Sequence, residues 1–497
     1  MGRSVSVAVV GAGFAGIGAA VALKREGVDD IVILERGERI GGVWRANTYP
    51  GIACDVPSLL YSLSFAPNPR WTRRFSPGDE IRGYLEGVAR RFDVYRHIRF
   101  GASVQRAAWD DDAGRWHISL GDGEEIEAEV LLTAVGQLQR AQIPDVPGLD
   151  RFTGPMFHSA HWDHDVDLEG KRVAVLGTGA SAIQFVPAIA ESVKSLIVFQ
   201  RSAPWTLSKS DREYPERVRR LHERLPFIPR LWRRGWWAWM ESIVPLFTRR
   251  PPRLARFITP AFTAMSTAQR AIQLRFNPGL LAKTKPSYPI GAKRVLITSE
   301  WYPTLRRPNV ELETAPVTEV VEDAVISGAG RRHEADVIIF GTGFTATDFL
   351  APMEVVGRER TLAEEWAGGA EAYLGMTIPG FPNLFLLYGP NTNHGTGSML
   401  EMLEMQARYI AEAVAKLSGG AADRLEVRRD VNDAFQAELR ERLADTVWAT
   451  TASWYVTADG RVTNNWPGSQ SEYRRRTRAV DLGDFVTAAY VRGATRS

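Results

Sequence analysis

The stretch Val5-Ser6-Val7-Ala8-Val9-Val10-Gly11-Ala12-Gly13-Phe14-Ala15-Gly16 decides the fold. Its β-branched first half reads as a buried parallel strand. Gly11, Gly13 and Gly16 then permit a tight turn and close backbone approach, so a pyrophosphate can rest on the N-terminus of the following helix. An alanine-rich helix is expected to about Glu26, then a second strand over 31–34 that ends in Glu35, 19 residues after Gly16. A carboxylate there can accept hydrogen bonds from ribose hydroxyls. The glycine pattern alone says little; strand, helix and acid in sequence make it a dinucleotide site.

The unit recurs. A strand over 172–176 runs into Gly177, Thr178, Gly179, Ser181 and Ala182, and 196–199 reads as the next strand. Gly177 lies 166 residues after Gly11, and Arg201 lies 166 after Glu35, so both units read in one register. Where the first ends in an acid, the second ends in a cation. Arginine suits a 2′-phosphate that a carboxylate would repel, against the plainer reading of a solvated strand-end charge. The first site therefore prefers FAD or NAD and the second NADPH, which together imply a flavoprotein fed by a nicotinamide.

Two further strand-to-glycine crossings, at 129–136 and 336–343, are expected to mark where the chain leaves and re-enters the first domain. Residues 142–150 read as a linker. The fold class is thus α/β: two Rossmann-like dinucleotide-binding domains with an inserted helical subdomain. Residues 1–148 and 346–497 form the FAD-binding domain, 149–206 and 291–345 the NADP-binding domain, and 207–290 the insert. The insert is rich in Arg, Pro and Trp, and charge repeatedly breaks its apolar runs, so no integral membrane segment is expected. A helix lying on a membrane surface fits its alternating basic and aromatic residues. The preferred reading is a helical subdomain whose tryptophans pack a core or line a substrate entrance.

Composition narrows the classes. Of 497 residues, 44% are hydrophobic and 24% charged, which excludes wholesale disorder. Lys plus Arg at 61 against Asp plus Glu at 58 leaves no basic excess to neutralise nucleic acid. The single cysteine, Cys54, excludes an intramolecular disulfide, a paired redox motif and a thiolate zinc site, and fits a cytoplasmic location. His158, His161 and His164, with Asp163, Asp165 and Asp167, resemble a ligand cluster. They share no helical or strand face that could aim them at one ion, so no metal is expected. The oligomeric state stays open.

The run Phe152-x-Gly154-x-x-x-His158-x-x-x-Trp162-Asp163 resembles the fingerprint of type I Baeyer–Villiger monooxygenases, within the class B flavoprotein monooxygenases. Gly41-Gly42-Val43-Trp44, continuing through Tyr49-Pro50-Gly51 to Asp55, is similar to a second pattern of that family. The resemblance implies that Gly42, Trp44 and Tyr61 contact the flavin and that Asp55 is the active-site acid beneath it. It places Lys293 on the NADP phosphate, Arg294 over the isoalloxazine and Gln137 near the pocket. Met399 would begin a helix under the flavin pyrimidine, Trp454 would reach NADP from a late loop, and Val104 joins the cofactor-binding set.

The implied reaction uses NADPH and O₂ to convert a small-molecule ketone into an ester or lactone through a C4a-peroxyflavin. Such a peroxide attacks a ketone only as its anion, which needs a fixed cation in a water-poor pocket. A guanidinium stays charged there, whereas a lysine could lose its proton. Asp55 would hold Arg294 by a charge-assisted pair, against the alternative of a plain interface salt bridge. S- or N-oxygenation is the runner-up activity. A non-catalytic flavin sensor and a simple NADPH oxidase are the alternatives from other classes.

Overall fold

The computed structural model describes residues 3–248, 256–457 and 459–487. The strand Arg3–Val10 lies in the middle of the larger sheet, parallel to Ile31–Glu35 on one side and to Glu125–Thr133 on the other. Both of its faces must be covered, which is why its inner residues are apolar throughout. The helix Phe14–Arg25 covers one face and is itself roofed by the long helix Met399–Ser418. Small residues at 15, 16, 18, 19 and 20 leave that helix buried nearly all round and let the layers approach closely.

Two late strands return to this sheet. Glu354–Val356 pairs with Val104–Asp110, and Leu384–Leu386 pairs with Glu125–Thr133. The smaller sheet is all parallel, in the order Val310–Glu313, Ser195–Phe199, Arg172–Leu176, Val337–Phe340, Met156–His158. The chain thus leaves the first sheet after residue 133, builds the second, and comes back after residue 340. The two connecting segments run side by side: Gln142 N–H donates to the Gly343 carbonyl at 2.9 Å, and Thr345 N–H to that of Arg140 at 3.1 Å.

The pairing corrects one expectation. Val10 lies opposite Leu34 in the first sheet, and Leu176 lies opposite Phe199 in the second. Gly11 N–H bonds the Leu34 carbonyl, and Gly177 N–H that of Phe199. The residue standing where Glu35 stands is therefore Gln200, and Arg201 is one position further along. The connection into the second strand is one residue shorter in the second unit, so a count from glycine to charge overshoots the strand end by one.

The insert contains the helices Glu216–Arg224, Phe227–Ser242, Ile258–Gln273 and Pro278–Lys283. Its tryptophans divide: Trp236 and Trp237 pack inward against the main core, while Trp232 and Trp239 face solvent. Arg233 fixes the subdomain, donating to the carbonyls of Leu60 at 3.0 Å and Ser62 at 2.7 Å and to Glu401 at 3.1 Å. Glu241 accepts from the N–H groups of Gln470 and Ser471, at the start of the helix Gln470–Arg476. Among the described residues no helix is long and apolar enough to cross a membrane.

Candidate functional site

The first turn is built around atoms it cannot spare room for. Gly11 has φ +106°, and a Cβ there would lie 2.8 Å from the Ala134 carbonyl oxygen. A Cβ on Gly16 would lie 1.9 Å from the Gly11 oxygen. Gly13 caps the helix without a side-chain hydrogen bond, and no acid occupies the helix's first turn. Open N–H groups and absent negative charge suit a pyrophosphate. Glu35 ends the second strand buried, accepting from Ala12 N–H at 2.9 Å and Gly37 N–H at 2.8 Å. The Arg45 guanidinium lies 3.4 Å from it, a partner that no motif announced. These features fit an adenine dinucleotide whose ribose meets Glu35.

Gly42 faces Gly13, where a Cβ would stand 3.2 Å from the Gly13 Cα. The helical turn Val43–Ala46 it opens carries Trp44, whose Nε1 donates to the Tyr61 hydroxyl at 3.0 Å. The two rings meet edge to face. Burial pushes the Tyr61 hydroxyl well above its ordinary pKa, with Cys54 and Asp55 adding to the effect, so it remains protonated. Val104 begins its strand in the core under the other face of the sheet, near the Ala102 N–H that donates to the Glu35 carbonyl. Gln137 is buried and tied down: its amide nitrogen bonds the Tyr388 carbonyl, and its oxygen accepts from Asn464.

The loop after Trp44 is where the two halves meet. Tyr49 hydroxyl donates to Gln184 Oε1 at 3.1 Å, and Gln184 Nε2 donates to the Ala53 carbonyl at 3.0 Å. Gly51, at φ +80°, lies so close to the helix Ala182–Ile189 that a Cβ would stand 2.9 Å from the Gln184 carbonyl oxygen. Gln184 gave no signal in the sequence, because its role follows from the packing of one domain on the other. Asp55 comes two residues after the clamped Ala53.

Across the interface Arg294 donates to Asp55 Oδ2 through Nη2 at 2.6 Å and Nε at 3.1 Å. Both side chains keep some exposure, 38% for Arg294 and 23% for Asp55, so the pair lines the cleft. Burial would raise the Asp55 carboxyl, but the Arg294 charge and hydrogen bonds outweigh it and Lys209 adds to them, so it stays below the ordinary value. The Asp55 charge in turn raises Arg294 above an already high value, against the effect of burial. The pair is ionised at every working pH. Tyr455 and Tyr388 share this pocket and act on Arg294; burial pushes the Tyr388 hydroxyl up to about 12. Tyr455 could have been found as the neighbour of Trp454, whose ring it meets at 4.2 Å; Lys209 offered no such cue.

The second turn repeats the first in backbone but not in setting. Gly177 has φ +108°, and a Cβ would lie 2.4 Å from the Gly341 oxygen. Ser181 caps its helix with no side-chain bond and no acid follows, so these N–H groups also face outward. Thr178 hydroxyl donates to the Ser202 carbonyl, and Lys293 Nζ donates to the Ser202 hydroxyl at 3.2 Å. Gly179 is exposed, as is Arg201. Burial and then the Arg201 charge lower the Lys293 pKa, which places the two cations together. Among the described residues neither has a carboxylate within ion-pair distance.

Met399 begins the helix Met399–Ser418 as its sulfur accepts from His394 N–H at 3.4 Å, and Trp454 packs part-buried against the main core. The fingerprint residues sit elsewhere. Phe152 belongs to the core of the second sheet, and a Cβ on Gly154 would overlap the Asp336 carbonyl oxygen at 2.2 Å. His158 accepts from Ala160 N–H, and burial brings its pKa down to about 4. Trp162 packs between Phe157 and Phe185. His164 turns away to bond Thr48, so the three histidines do not converge. This run makes no hydrogen bond or ion pair with Asp55 or Arg294. Cys54 is buried, and its thiol is pushed far up by burial and by Asp55, so it is inert.

Comparison with known proteins gives a consistent picture. A model of the flavin-binding monooxygenase-like family matches residues 4–240. A Baeyer–Villiger monooxygenase of Streptomyces coelicolor (strain ATCC BAA-471 / A3(2) / M145) is 46% identical over 485 residues, 97% of this chain and 92% of its own length. An oxidised steroid monooxygenase bound to NADP superimposes with a TM-score of 0.84 at 32% identity, covering 96% of this chain and 97% of that one. OTEMO in complex with FAD and NADP does so with a TM-score of 0.84 at 27% identity, covering 96% and 98%.

Proposed function

From the premise that the chain belongs to the Baeyer–Villiger monooxygenases of the flavin-binding monooxygenase-like family, we propose which of its residues perform the reaction. The enzyme takes a ketone, O₂, NADPH and a proton to an ester or lactone, NADP⁺ and water. Bound FAD, once reduced by NADPH, supplies the activated oxygen. In this reading Gly11, Gly13, Gly16 and Glu35 hold FAD, with Gly42, Trp44, Tyr61, Val104, Gln137 and Met399 around it. Gly177, Thr178, Gly179, Ser181, Arg201, Lys293 and Trp454 hold NADPH. The chain divides at 148, 206, 290 and 345 into the segments named above.

The observation that carries the mechanism is the Arg294–Asp55 pair. Both hydrogen bonds from the guanidinium end on a single carboxylate oxygen, at 2.6 and 3.1 Å, which leaves other N–H groups free to face the cleft. Those donors can follow the negative charge that develops on the ketone's carbonyl oxygen as its carbon is attacked. A preorganised cation at that point lowers the barrier without reorganisation. Asp55 holds the guanidinium plane in place, and the aspartate's own position follows from the Gln184 clamp on Ala53. Tyr388 and Tyr455, protonated at all working pH values, narrow the pocket around the pair.

Arg294→Ala and Arg294→Lys test this directly. In Arg294→Ala, ester formation should fall on the order of 10²–10³-fold while NADPH oxidation continues, its oxygen now released as hydrogen peroxide. Product chromatography alongside NADPH consumption separates the two. Arg294→Lys should recover only part of the loss. Full ester yield in Arg294→Ala would remove Arg294 from the mechanism, and equal loss of NADPH oxidation would move its role to cofactor binding.

A further inference from the structure

We propose that the outer face of the helical insert docks on the surface of an anionic phospholipid bilayer. Among the described residues, ten of the fourteen exposed large hydrophobic side chains lie between Leu221 and Phe276. They are not scattered. Phe257, Ala261, Met265, Ala268, Ile272 and Phe276 recur every three or four residues along or beside the helix Ile258–Gln273, and all face solvent. Another side of that helix is turned inward: Ile258 and Phe262 pack on the main core, and Ser266 and Arg270 are buried. Phe257 is 73% exposed and Ile272 65%. The neighbouring helix Phe227–Ser242 adds Leu231 at 67%, Trp232 and Trp239 to the same exterior. Trp239 meets Phe262 at 6.4 Å between ring centroids, which sets the two helices side by side. Exposed apolar side chains gathered on one subdomain in this way mark an interaction site.

Charge selects the occupant. Residues 207–290 carry 17 Lys and Arg against five Asp and Glu, while the whole chain has 61 against 58. The remainder of the protein is therefore net acidic, and all of its positive excess lies on this subdomain. Arg217, Arg224, Arg230, Arg234, Arg256 and Arg275 are exposed, and among the described residues none has a carboxylate within ion-pair distance. Apolar side chains and tryptophans flanked by unpaired arginines match the acyl boundary and phosphate layer of an anionic membrane. A second copy of the chain fits poorly, because a two-fold contact would set this basic face against itself. With no membrane-crossing helix among the described residues, the contact is one of lying on the surface. The acidic remainder would be repelled by the same lipid, which fixes the orientation.

The surface is held rigidly to the enzyme. Arg233 and Glu241 anchor its inner side, as described above. At its far end Phe247 contacts Gly291, where a Cβ would lie 3.2 Å from the phenylalanine ring, in the loop that carries Lys293 and Arg294.

The test is flotation of the full-length, FAD-loaded protein with vesicles of phosphatidylcholine alone or mixed with phosphatidylglycerol. Binding should be on the order of tenfold stronger to the anionic vesicles and should weaken with added salt. Arg230→Glu with Arg234→Glu, and separately Phe257→Ser with Ile272→Ser and Phe276→Ser, should each lower it about tenfold. NADPH oxidation in solution should be unchanged in both. Failure to float with anionic vesicles overturns the proposal, as does undiminished binding by both variants. Concentration-dependent dimers in sedimentation velocity, abolished by the serine variant without any vesicle binding, would assign the face to self-association instead.

Discussion

The two glycine turns are the same device in two environments. Each opens on a glycine near φ +107°, and in each an added Cβ would strike the carbonyl of the neighbouring crossing, Ala134 in one and Gly341 in the other. They part at the third small residue. Gly16 lies so tightly on the Gly11 oxygen that a Cβ would sit 1.9 Å away, whereas the second unit has Ala182, whose Cβ is accommodated beside Gly341. The first turn is roofed by the helix Met399–Ser418 and ends at a buried acid; the second is open and ends near two unpaired cations. In the proposed reading the sealed turn holds FAD and the open one NADPH. Burial, more than the glycine pattern, distinguishes them.

The sharpest way to break that contrast is to exchange its two small residues. Gly16→Ala forces a backbone shift in a sealed layer, and overpacking there costs about 1–3 kcal/mol or more. The purified protein should retain about a tenth of the wild-type flavin or less, read from its visible absorbance per polypeptide. Ala182→Gly removes only a methyl at a helix start and should cost under about 1 kcal/mol, with flavin content unchanged. Full flavin occupancy in Gly16→Ala would mean that the layers are looser than their contacts indicate.

The charges give a second way to break it. Arg201→Ala would remove the charge-assisted contact proposed with a 2′-phosphate, worth about 1.5–3 kcal/mol. KM for NADPH should rise about 10–100-fold, and KM for NADH should not change. Glu35→Gln should leave both KM values alone and act on flavin retention. If Arg201→Ala weakens both nicotinamides equally, Arg201 is a strand-end charge and the contrast between acid and cation carries no specificity.

The sequence reading located both turns because glycine spacing reports a steric need that packing cannot relax. It ended the second strand correctly at Phe199 but matched Arg201 instead of Gln200 to Glu35, because a loop can shorten without leaving a mark in the glycine count. Asp55 and Arg294 are 239 positions apart, and only the family resemblance joined them; no local pattern could. The Gln184 clamp on Ala53 was illegible for the same reason, since it depends on the docking of segments 131 residues apart. In the insert the aromatic and basic composition was legible, and its division was not. Inward Trp236 and outward Trp232 are four residues apart, and which side faces the core is set by where Arg233 and Glu241 anchor the helix.

The smallest predicted effect concerns the pH dependence that the open site should have and the sealed one should lack. Lys293 is partly buried and lies beside Arg201, and both conditions disfavour its protonated form. Its pKa is therefore below that of an ordinary lysine, while its proposed contact with a nucleotide phosphate needs the charged form. KM for NADPH should be flat at low pH and should rise as pH climbs through the lowered value, by about tenfold for the loss of one charged contact. Lys293→Arg should abolish that rise, since a guanidinium keeps its proton throughout. Lys293→Met should give a KM that is high at every pH. Flavin retention should not follow this profile in any of the three proteins, because Glu35 accepts from backbone N–H groups that do not titrate. A wild-type KM as flat as that of Lys293→Arg would show that Lys293 does not bear on the phosphate, and the cationic character of the second site would then rest on Arg201 alone.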